Sequence, residues 1–106
     1  MNEKLSIKGV FDIPEKEYTK HIQRVENIVA RAKGDPEKEK NLTRNMANTI
    51  TDIDKAYGRY LVAEELNRPD LGKIFLERFK DLTYTVHDWR KEKIEAFLKE
   101  ISEEEV

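Results

Sequence analysis

The sequence predicts an all-α fold: an elongated three-helix bundle of long helices, with an extended N-terminal tail over residues 1–13 and one helical domain over 14–106. Three observations carry that expectation. Gly and Pro punctuate the chain at Pro14, at Gly34-Asp35-Pro36 and at Asn67-Arg68-Pro69. Between those marks apolar residues recur at steps of three and four, the period of a helix with one buried face. Beyond residue 14 nothing sustains the alternation of a strand.

Helix 1 is predicted over residues 14–33. Pro suits the first helical position, where its missing N–H costs nothing. Tyr18, Ile22, Val25, Val29 and Ala32 form one stripe, widened by Ile28. Gly34 is placed to end the helix in a left-handed conformation, and Arg31 and Lys33 complement the dipole in its last turn.

Helix 2 is predicted over 36–66, with Asp35 as N-cap and Pro36 as the first residue inside. Its stripe is Leu42, Met46, Ile50, Ile53, Tyr57 and Leu61. Asn48-Thr49-Ile50-Thr51-Asp52 is a run of poor helix formers. The stripe crosses it without a change of phase, which favours one continuous helix over two. Gly58 costs the helix ~1 kcal/mol relative to Ala, which is either tolerated weakness or the mark of a close neighbour.

Helix 3 is predicted over 70–102. Phe75, Phe79, Leu82, Val86, Trp89, Ile94, Phe97 and Ile101 form its stripe. The five-residue step from Trp89 to Ile94 marks a rotation or kink near Arg90. In the tail, Leu5-Ser6-Ile7-Lys8 alternates like a short strand but has no second strand to pair with. The expected central core is Ile22, Val25, Val29, Ile50, Ile53, Tyr57, Phe79, Leu82 and Val86.

At 1.5 Å per residue the three helices would measure roughly 30, 46 and 50 Å. The first is too short to cover the other two, so part of their apolar seam would lack a lid. Soluble monomers rarely leave such a patch open. Dimerisation through long, charge-coated, coiled-coil-like helices is therefore expected. Phe11 in the tail and Phe97, Leu98 and Ile101 near the end of the chain are the interface candidates, since aromatic anchors often dominate interfaces.

Composition narrows the function classes. Charged residues make up 40% of the chain, yet 20 Lys+Arg meet 22 Asp+Glu for a net charge of -2. That balance is not that of a polybasic nucleic-acid or lipid binder. With no Cys, disulfides, thiolate metal sites and thiol catalysis are excluded. No stretch reaches the ~20 apolar residues of a membrane span, and the charged first fifteen residues are unlike a signal peptide, so a cytoplasmic location is expected. Fifteen Glu and 13 Lys against a single Gln fit the bias of thermophile proteins, and also of exposed helices in general.

Little chemistry shows in the motifs. Glu17 and His21 are spaced i,i+4 and share a helix face, but His87 and Asp88 would lie ~15 Å away along the bundle. The expected role of Glu17 and His21 is a surface pair worth ~0.3 kcal/mol. Glu64, Glu65, Glu77 and Asp81 form an acidic group that Lys73 and Lys80 dilute. The four Gly are not clustered into a phosphate-cradling loop, and neither Ser6 nor Ser102 has a base nearby in sequence. No cofactor, metal or enzymatic activity is therefore expected.

The functional expectation is a non-enzymatic helical protein–protein interaction protein: an adaptor, scaffold or small subunit, forming a homodimer. The alternative is a nucleic-acid-associated accessory protein, using Arg31, Lys33, Lys38, Lys40 and Arg44 around the first turn. Asp35, Glu37 and Glu39 offset those cations, and the predicted helices are too long for a helix-turn-helix reader.

Overall fold

The structure is a computed structural model describing residues 13–104, with side chains to Ile101. It is all-helical. Five α-helices follow one another: α1 Glu15–Ala32, α2 Pro36–Thr49, α3 Ile53–Glu65, α4 Pro69–Asp81 and α5 Asp88–Glu104, with a 3-10 turn at Thr83–Thr85 between the last two. Helix 1 forms as predicted. Each of the two longer predicted helices is divided in two.

The first division falls in the run of poor helix formers. Ile50 adopts an extended conformation (φ -77°, ψ 123°), and Asp52 caps α3 by accepting the Asp54 N–H at 2.9 Å. The last turn of α2 is satisfied by the Thr49 hydroxyl, which donates to the Met46 carbonyl at 2.7 Å. From α4, Arg78 Nε donates to the freed Ile50 carbonyl at 2.8 Å. Every one of these groups replaces a helical hydrogen bond that continuing the helix would have made. The stripe keeps its phase because Ile50 and Ile53 are both buried on either side of the break. Continuity of the apolar pattern therefore did not require continuity of the helix.

The second division lies at residues 82–87, upstream of the expected kink at Arg90. Thr83, Thr85 and Val86 are β-branched and poor helix formers. Thr83 and Thr85 turn their hydroxyls onto the Lys80 and Leu82 carbonyls, each at 2.7 Å. The chain then restarts at Asp88, with Arg90 and Lys91 donating their N–H groups to the His87 carbonyl. Ile94, Phe97 and Ile101 form the stripe of this new helix and are buried. Trp89 lies in its first turn and is 56% exposed, so it is not the core residue that the pattern implied. The five-residue step recorded the new helix's phase, several residues after the actual break.

Helices α1, α2, α4 and α3 close a ring in which each packs on two others, and α3 with α4 is the most intimate pair. Phe97 fixes α5 onto this pair. Its ring lies 5.5 Å from Tyr57, 6.3 Å from Phe79 and 6.4 Å from Tyr60, near-perpendicular to all three, the edge-to-face geometry that aromatic quadrupoles prefer. Arg90 also pairs with Asp54 of α3 at 2.9 Å. All nine expected core residues pack in this interior, with Ile22 and Val29 at its margin.

The radius of gyration is 13.5 Å, against about 13 Å for a compact chain of this length. The molecule is therefore compact, and the longest described helix, α1, has 18 residues. The mismatch of helix lengths from which a dimer was inferred does not exist. Among the described residues, no helix is long and apolar enough to cross a membrane.

Candidate functional site

The polar centre of the molecule lies where α1 meets α3. In its second turn α3 is buried all round, from Ala56 to Tyr60. Tyr57 and Tyr60 face the aromatic cluster. Gly58 faces α1, where His21 fills the space that a side chain would occupy: a Cβ on Gly58 would stand 2.5 Å from His21 Cδ2. The mid-helix glycine therefore marks a close neighbour, and that neighbour is an imidazole.

His21 is 4% exposed and Arg59 7%. Arg59 Nε donates to His21 Nδ1 at 2.8 Å. Nδ1 accepts only when it carries no proton, so the ring is neutral with its hydrogen on Nε2. Burial, reinforced by the Arg59 charge, pushes His21 from its ordinary 6.5 down to about 4. Burial also lowers the pKa of Arg59, and the charge of Arg24 acts in the same direction. Among the described residues no carboxylate pairs with Arg59.

These two residues line a cavity of about 430 Å³ bounded by α1, the end of α2 and the start of α3. Lys20 and Arg24 from α1 and Lys55 from α3 stand around it. Glu17 is the one acid among its described lining residues, and it sits 3.8 Å from the Lys20 ammonium. Ile50 and Met46 supply an apolar wall. Along α1 this cavity adjoins a groove that shares Arg24 and Met46 with it. The groove is lined by Ile28, Ala30 and Met46 together with Arg24, Asn27, Arg31 and Lys33.

The expected basic cluster is divided. Arg31 and Lys33 belong to the α1 groove, whereas Lys40 and Arg44 line a separate groove with Lys73 of α4. Lys38 borders neither groove, and its backbone N–H serves the Asp35 cap. The interface candidates are also redistributed. Phe97 and Ile101 are buried in the core and Leu98 packs against it half-buried; Phe11 lies outside the described residues. The surface pair expected of Glu17 and His21 does not form as such: His21 is buried and accepts a hydrogen bond from Arg59. His87 is exposed at the head of α5, and no group of three or more metal-ligating side chains gathers among the described residues. Of the acidic group, Glu77 pairs with Lys80 at 3.6 Å.

Sequence reasoning missed Arg59 and Lys55. Two signals were present: a glycine within a helical stripe, next to Arg59, and two cations spaced i,i+4 at the edge of the core. No protein family, curated protein or solved structure matches this chain.

Proposed function

We propose that this protein is a non-enzymatic interaction module that docks an acidic, partly apolar segment of a partner protein in the α1 groove. The observation that carries this is the make-up of the groove: Ile28, Ala30 and Met46 stand together with Arg24, Arg31 and Lys33 in its lining, on a chain whose net charge is -2. Charge segregated in this way steers an acidic partner and fixes its register. The apolar part of the lining gives it contact area that is removed from water. Nucleic acid would use the cations but not the apolar lining, and no aromatic side chain lines the groove for bases to stack on.

The test is fluorescence anisotropy with a labelled peptide of Glu-Glu-Leu repeats, against a duplex oligonucleotide of similar length. Saturable peptide binding that weakens about tenfold in the Arg31→Glu, Lys33→Glu double variant supports docking. Tighter binding of the duplex under the same salt conditions overturns it in favour of a nucleic-acid partner. Sedimentation equilibrium of the chain alone bears on the occupant: multiples of 12.5 kDa that collapse in the same double variant would identify it as a second copy.

A further inference from the structure

Arg59 is a buried cation against which the described residues set no anion. Nε is its one hydrogen-bonded nitrogen among them, donating to His21, and the residue lines the cavity. A guanidinium keeps its charge at any biological pH, and a buried charge is ordinarily paired. His21 does not balance it, because a ring that accepts through Nδ1 is neutral. Around the same cavity stand Arg24, Lys20 and Lys55. Thr51 also lines it, so the start of α3, with the positive end of the helix dipole, adjoins the space.

We infer that this cavity binds a phosphate group, held by Arg59 together with Arg24, Lys20 and Lys55 of its lining. The two terminal amino groups of Arg59 match a pair of phosphate oxygens. The remaining oxygens then meet cations arriving from α1 on one side and α3 on the other. A carboxylate has only two oxygens and would leave part of this set unmatched. The cavity, at about 430 Å³, falls within the range of small-molecule sites and is larger than a bare phosphate needs. Met46 and Ile50 offer an apolar wall to the carbon part of a small phosphate monoester. This site shares Arg24 with the groove proposed for an acidic segment, but that groove has Arg31 and Lys33 of its own further along α1.

The two histidines provide the readout. In proton–carbon spectra of the full-length chain, the ring signals of His21 should shift saturably on titration with inorganic phosphate or glycerol 3-phosphate. Those of His87, exposed outside the cavity, should stay in place. Tighter binding of glycerol 3-phosphate identifies an organic phosphate as the ligand class, and equal binding identifies the free ion. Equal movement of both histidines, or an equal response to acetate at matched ionic strength, overturns the inference. Arg59→Met should weaken phosphate binding by about tenfold or more. Since that variant also strips His21 of its donor, the Arg24→Met, Lys55→Met double variant provides a second route, because both positions are exposed. Phosphate affinity unaltered in that folded double variant overturns the site. The Arg31→Glu, Lys33→Glu variant should keep phosphate binding, which separates this result from the fate of the docking proposal.

Discussion

The two sides of α3 solve the same packing problem by opposite means. Toward α4 and α5 it presents Tyr57 and Tyr60 to Phe79 and Phe97, a cluster held by burial and ring geometry. Toward α1 it presents Gly58 and Arg59, and the contact is made by one imidazole, one guanidinium and the space that a missing side chain leaves. The aromatic side holds no side chain that titrates between pH 4 and 7. The polar side depends on a protonation state and places a charge beside a cavity. A helix with one turn buried all round can thus anchor a core with one face and build a site with the other, provided the two chemistries are kept apart.

The aromatic side should show the largest mutational effect. Phe97→Ala removes the ring that joins α5 to Tyr57, Tyr60 and Phe79, and is expected to cost about 3–5 kcal/mol in chemical denaturation. Its oligomeric state should match that of the unaltered chain, because the ring is 5% exposed and has no surface to offer a partner. A change of sedimentation behaviour with little loss of stability would return Phe97 to the role of interface anchor.

The same contrast explains what could be read from the sequence. Apolar periodicity locates residues by burial, and Val25, Ile53, Tyr57, Phe79 and Leu82 are found inside as expected. It is blind to helix ends whenever a break preserves the phase. Ile50 stays inside across the break at α2, so the pattern passed through it, while the real evidence lay in Thr49, Asp52 and their side-chain hydrogen bonds. The break after α4 was legible as a run of β-branched residues but was placed too late, because a phase slip appears only when the next stripe begins. The cavity was less legible still. An Arg on a charged helix is expected at the surface. Only its neighbour Gly58, read together with the core residues on either side, suggested that this turn of α3 was enclosed. That His21 would be the enclosing group depends on how α1 packs, which spacing along the chain does not encode.

The polar side should respond to acid where the aromatic side does not. Folded His21 takes its proton at about 4, against an ordinary 6.5. Between those values the unfolded chain binds a proton that the native ring refuses, so stability falls as pH drops through 6.5 toward 4 and levels off below. Of the charged groups that act on the ring, Arg59, Lys55 and Arg24 lower its pKa and Glu17 raises it. A displacement of this size corresponds to about 3 kcal/mol. Asp70, held low by Arg68, loses its contribution only below the usual carboxylate value, which leaves the His21 window separate. Urea denaturation across this range should show the fall in the unaltered chain and a flattened profile in His21→Gln. An equal slope in both would place the acid sensitivity elsewhere.

The finest test of the contrast is Gly58→Ala, where two opposing terms meet. Alanine in mid-helix is worth ~1 kcal/mol over glycine. Against this, its Cβ would stand 2.5 Å from His21 Cδ2 and 2.7 Å from Nε2. The ring is enclosed and bonded to Arg59, so relief requires moving α1 or breaking that bond, and overpacking of this kind costs about 1–3 kcal/mol. The net expectation is a loss of about 1 kcal/mol, accompanied by a higher His21 pKa as the ring leaves its burial. Gly72→Ala is the control within the same fold. Its Cβ would meet Glu64 Oε1 at 2.9 Å and Ala63 Cβ at 3.6 Å, and the first of these is the far end of a long side chain rather than an enclosed ring. That variant should lose less than Gly58→Ala, since the end of a side chain can shift without moving a helix and the propensity gain remains. If Gly58→Ala instead loses no more than Gly72→Ala does, with the His21 titration unmoved, then the imidazole yields as readily as a carboxylate and the α1–α3 contact is not the rigid side of the molecule.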